Sequence, residues 1–155
     1  MMQVKELLKK LGEETIYSAK GHFKACDTRR KLFTITIWIC AIVNVIGFIG
    51  IDPLFDKWLF GLGLFGTIAL LIWNQGEGKY YRARHKEAGE HYLSLHKEIR
   101  KHFLMDEVSE EEIETLNQKV IDFDKSDRPE IPGLARMLAK RAIEKKDETD
   151  NWFLK

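Results

Sequence analysis

Histidine and cysteine are the residues of this chain best suited to binding a metal or moving a proton. His22 and Cys26 are four residues apart and share one helix face, which makes half of a metal site. Zinc takes about four ligands, and no nearby pair completes the set. The pattern therefore predicts a partly exposed His22 beside a packed Cys26. His85, His91, His96 and His102 follow at steps of six, five and six. None is the step of three or four that stacks two ligands on one turn, so these read as solvated helix-surface histidines rather than a metal relay or proton path. Glu87 and Glu90 share a face and read as solubilising charge. No acid pair, nucleophile–base pair, glycine-rich phosphate loop or internal repeat has usable spacing. The expectation is a protein that is not an enzyme, with no catalytic residue, cofactor or metal.

A different chemistry is open to polar residues set among apolar ones. Residues 32–51 form a run of 20 without a charge, and residues 58–73 a second of 16. At about 1.5 Å per residue the first is roughly 30 Å long, enough to cross a bilayer core, and the second roughly 24 Å. In the first run Thr36, Cys40, Asn44, Gly47 and Gly50 fall on one side, and Trp38, Ile42, Val45 and Ile49 on the other. In the second, Gly63, Gly66, Thr67 and Asn74 share a face, with Gly63 and Thr67 a small-xxx-small pair. Small residues let membrane helices approach closely, and an unpartnered amide such as Asn44 is costly at mid-membrane. Thr36, Cys40, Asn44, Gly47, Gly63, Gly66 and Thr67 are therefore the candidate helix-packing or pore-lining set. Their partner is either the other span of the same hairpin or a second protomer.

The elements that place this set form an all-α chain: a transmembrane helical hairpin continuing into a cytosolic amphipathic helix bundle. A soluble core helix of such length would carry charge on its outer face, and neither run does. A link of six residues, 52–57, predicts antiparallel spans at 32–51 and 58–74. Lys20, Lys24, Arg29, Arg30 and Lys31 precede the first span, and Lys79, Arg82, Arg84 and Lys86 follow the second. The positive-inside rule then puts both termini in the cytoplasm, with Trp58 and Trp73 at headgroup depth. No cleavable signal peptide is expected, because the first apolar run begins only after 31 charged and patterned residues. Cys26 and Cys40 would lie in different compartments and are not expected to pair.

The 155 residues suit one unit. Its mean hydropathy of −0.30 and net charge of +1 average over segregated apolar and charged segments. No basic run with interleaved aromatics suggests nucleic acid. Residues 3–31 read as two helices, with stripes Val4, Leu7, Leu8, Leu11 and Ile16, Ala19, Phe23, Cys26 separated at Gly12 and a second start at Thr15 or at Glu13–Glu14. Asn74–Gly78, NQGEG, is expected to bend or end the second span. Residues 79–105 form a long amphipathic helix with a seam of Tyr81, Ala88, Tyr92, Leu95, Ile99 and Phe103. Within residues 109–146, Ser109 and Glu112 predict a capping box, and Ile113, Leu116, Val120 and Phe123 its apolar stripe. Pro132 suits the first turn of a last helix, where Leu134, Met137 and Leu138 are expected to pack inward. The tail, residues 147–155, holds Trp152 and Phe153, either exposed or docked.

The sequence TIYSAKGHFKACDTRRK leading into the first span, the tight hairpin, the helix KYYRARHKEAGEHYLSLHKEIR and the closing IPGLARMLAKRAI together resemble the SLATT family. These are two-transmembrane effector domains associated with nucleotide synthases and sensors in bacterial conflict systems. The resemblance covers residues 3–146 and rests on architecture. It implies an oligomeric inner-membrane effector in antiphage defence that forms a pore or perturbs the bilayer. It also implies a signal arriving through a nucleotide synthase or sensor protein encoded nearby, since no such domain is fused here. It carries over no functional residues. The alternative is a non-conducting anchor that recruits a cytosolic partner through residues 79–146.

Overall fold

The computed structural model describes residues 2–49, 53–105, 108–145 and 153. Among them there is no strand, and the fold is all-α. Helix α1 spans Met2–Ile49 and α2 spans Pro53–Trp73. A π-helical turn, Asn74–Gly78, joins α2 to α3, Lys79–Phe103. Helices α4, Glu110–Lys125, and α5, Gly133–Glu144, complete the chain. Gly50, Asp52 and the tail residues 147–152, Trp152 included, lie outside the described residues.

The break expected at Gly12 does not occur; α1 runs through it. The reason lies in the phase of the side chains. Leu8, Leu11, Thr15, Ile16, Ala19 and His22 are all buried, so one helical stripe passes Gly12 without a shift of register. Thr15 starts no helix. Its hydroxyl donates back to the Leu11 carbonyl at 2.8 Å, an interior arrangement. A mid-helix glycine costs about 1 kcal/mol, which packing on this scale outweighs.

The segregated segments resolve into two compact units, where the length alone suggests one. One holds Met1–Cys26 with Ala83–Lys155, the other Asp27–Arg82. In the first, Leu8, Leu11, Ile16 and Ala19 of α1 share a core with Tyr92, Leu95 and Ile99 of α3 and Ile113, Leu116 and Val120 of α4. Two glycines let elements touch: a Cβ on Gly89 would meet the Phe23 ring at 2.8 Å, and one on Gly21 would meet Ile131 at 2.9 Å. Helix α4 begins with the capping box expected. Ser109 Oγ accepts from the Glu112 amide, and the Ser109 amide donates to Glu112 Oε2 at 3.0 Å. The Ser109 amide, and after it the Ser109 hydroxyl, donate to Glu112 Oε2 and hold that carboxyl below its usual range.

In α5 the expectation is reversed. Ala135, Ala139 and Ile143 are buried, whereas Leu134 and Met137 are 52% and 44% exposed and Leu138 is half-buried. The alanines recur every four residues and let the helix backbone seat against the core, so the small face goes inward rather than the bulky one. Phe153 is docked, its ring edge-on to His96 at 6.1 Å between centroids.

The second unit is a helical hairpin, α1 from Asp27 onward with α2. Both helices are long and apolar enough to cross a membrane. None of the most apolar 18 residues in the first span is buried. Helix α2 starts at Pro53 rather than Trp58, so it takes in most of the expected loop. Proline is preset for a first helical turn, and Asp56 there favours the positive end of the helix dipole.

Candidate functional site

Six small or polar residues make the hairpin contact. A Cβ on Gly47 would lie 2.7 Å from the Phe60 amide nitrogen and 2.9 Å from the Asp56 carbonyl, so backbone meets backbone there. A Cβ on Gly63 would lie 2.8 Å from the Asn44 side chain, and one on Gly66 would lie 3.3 Å from Cys40 Sγ. Asn44 Nδ2 donates to the Cys40 carbonyl at 3.0 Å and reaches Thr67 Oγ1 at 3.5 Å, while Thr67 donates to the Gly63 carbonyl at 2.8 Å. Asn44 Oδ1 is buried with no partner among the described residues.

The structure thus brings Cys40, Asn44, Gly47, Gly63, Gly66 and Thr67 together inside one hairpin. Thr36 is not among them; it is exposed and donates to the Leu32 carbonyl at 2.9 Å. The opposite face is as expected, with Trp38, Ile42, Val45 and Ile49 exposed. Asp56, which sequence reasoning passed over as loop, is buried at the α2 start, 6% exposed. The closeness of Gly66 to Cys40 yields a direct check. Gly66→Cys should form a disulfide with Cys40 under mild oxidant, whereas Gly61→Cys, with nothing within 4 Å, should not. Shift of the band on a non-reducing gel reports it.

The seam of the bundle also forms, with one exception. Ala88, Tyr92, Leu95 and Ile99 are buried and Phe103 is half-buried. Tyr81 belongs instead to the hairpin unit, where the Arg29 guanidinium lies 5.1 Å from its ring centroid.

The histidines depart most from expectation. His22 and His85 are both fully buried, and their Nδ1 atoms are 2.9 Å apart. That distance needs one ring protonated on Nδ1 and the other offering its lone pair, so the two rings are not both charged. His22 stacks on Tyr92 at 5.7 Å between centroids. The Tyr92 hydroxyl donates to Asp124, whose other contact is Arg128 at 3.1 Å. Burial, then the neighbouring His85 charge, holds His22 down at about 4. Burial lowers His85 too, with Arg84 adding to it. His96 donates Nδ1–H to the Gly12 carbonyl at 2.8 Å; burial lowers it against that bond. Burial and the Asp124 bond raise Tyr92. His91 alone of the four α3 histidines is plainly exposed.

Comparing steps within α3 could not find this pair, because its members come from two helices. The signal was present in register: His22 continues the stripe 8, 11, 15, 19, and His85 precedes 88, 92, 95, 99 in the same heptad phase. Among the described residues no group of three or more His, Cys, Asp or Glu could hold a metal. Comparison with protein-family models, with characterised proteins and with solved structures found no match to this chain.

Proposed function

We propose that this protein is a two-span membrane effector, both termini cytoplasmic in the bacterial inner membrane, which assembles into oligomers and opens or perturbs the bilayer on a cytosolic signal. The observation that carries this reading is Asn44. A hairpin needed only as an anchor gains nothing from a buried amide whose carbonyl lacks a partner, at a cost of about 1–3 kcal/mol. A second arrangement, in which Asn44 pairs across protomers, would recover that cost. The hairpin described above is then the closed form, and the bundle receives the signal. The SLATT resemblance points the same way, to antiphage defence downstream of a nucleotide signal.

A second reading, the non-conducting anchor that recruits a partner, is favoured by a different observation. The small and polar stripe is spent within the hairpin, and the outward surface is apolar at Trp38, Ile42, Phe65 and Ile72. Dye release from liposomes carrying the purified chain separates the two. The effector reading expects leakage that rises with assembly and falls several-fold in Asn44→Leu. The anchor reading expects no leakage from either protein under any oligomerising condition.

A further inference from the structure

At the end of the hairpin where α1 enters its apolar run, one arginine is held in an unusual way. The Arg29 guanidinium carbon lies 4.0 Å from the centroid of Trp73 and 5.1 Å from that of Tyr81. Both rings are within cation–π reach of it. Its Nε is buried without an acceptor, and among the described residues it has neither a hydrogen bond nor an ion pair.

The clamp around it is itself fastened. Trp73 Nε1–H donates to Glu77 Oε2 at 2.9 Å, which sets the indole. Arg82 donates to Asn74 Oδ1 at 2.7 Å. Both bonds depend on the π turn, and π turns recur at functional sites. Gly78 leaves room for this bond, since a Cβ there would lie 3.1 Å from Asn74 Oδ1. Nearby in sequence, Arg30, Lys31 and Lys79 also lack ion pairs among the described residues. A shallow groove on α1 of about 420 Å³ is lined by Asp27, Arg30, Lys31, Thr34 and Ile35, two bases and one acid at its charged end and Ile35 at the other.

We propose that Arg29, clamped between Trp73 and Tyr81, binds the phosphate of an anionic membrane phospholipid. Guanidinium presents a planar fork that fits two phosphate oxygens, and stacking holds the fork rigid. The depth matches. Arg29 is one turn before the uncharged run, and Trp73 closes the second run at the same end, where rings and cations meet headgroups. The proposal rests on the membrane reading but needs neither pore nor signal.

The test is native mass spectrometry of the full chain in detergent, titrated with phosphatidylglycerol, phosphatidylcholine or inorganic phosphate. Wild type should retain phosphatidylglycerol in preference to phosphatidylcholine, and Arg29→Ala should weaken that binding about tenfold. Arg29→Lys keeps the charge and loses the fork, so it should weaken binding nearly as much. Trp73→Leu keeps every charge and should also weaken it, which covers the case of an Arg29→Ala protein that fails to fold. Equal retention in wild type and Arg29→Lys would overturn the proposal. Displacement of the lipid by inorganic phosphate would assign the site to a soluble anion and overturn the lipid assignment. Flotation with vesicles comes first: a wild-type chain that stays out of them defeats the membrane reading itself, before any lipid is counted.

Discussion

Lowering the pH from 8 to 5 should destabilise the helical bundle by about 2 kcal/mol through His22 alone. The ring is held at about 4 in the folded chain against an ordinary 6.5. An unfolded chain therefore binds the proton first, and stability is lost as pH falls from 6.5 toward 4. Below that the loss is complete, because both states are protonated. His85 and His96 are lowered as well and act in the same direction. The geometry supplies the cause: a charged His22 ring would be buried away from water, and charging His85 as well would set two cations 2.9 Å apart. Thermal unfolding of the full chain in mild detergent, followed by helical circular dichroism at pH 8, 6.5 and 5, measures it. His22→Phe keeps a ring against Tyr92 and removes the titration, so its midpoint should move less across that range. A His22→Phe curve with the same pH dependence as wild type would rule out the buried pair as the source.

The second large effect belongs to the hairpin. Gly47→Ala should loosen it by about 1–3 kcal/mol, the usual cost of overpacking. The added carbon would meet the Phe60 amide and the Asp56 carbonyl, and neither backbone atom can rotate aside. Gly63→Ala strikes the Asn44 side chain, which has some freedom to turn, so its cost should be smaller. Gly61→Ala has open space around it and should be silent. The rate of Cys40 crosslinking in the Gly66→Cys background ranks the three: slowest with Gly47→Ala, unchanged with Gly61→Ala. Equal rates for all three would mean that the helices do not meet at Gly47.

What the sequence disclosed follows from how far each signal reaches along the chain. Two uncharged runs and heptad stripes are local patterns, and they were enough for an all-α chain with two membrane-length helices. The capping box at Ser109 and the stripe Ile113, Leu116, Val120 are equally local and are found as expected. The misses needed knowledge of a second element. The Gly47 and Gly63 stripes were seen, but whether they met within one hairpin depended on the register that Pro53 sets by starting α2 early. Side-chain bulk misled in α5, where Ala135 and Ala139 go inward because close backbone approach buries more than Leu134 could. Arg29 looked like one more positive-inside charge until Trp73 and Tyr81 were placed around it.

Phe153 sits in the interior of the bundle, 6% exposed, with its ring against His96. Its phenyl ring is thus a plug in that interior. Trimming this side chain to a methyl would open a phenyl-sized void beside a buried imidazole and admit water to it. The lifetime of the folded bundle is thereby tied to one aromatic seat.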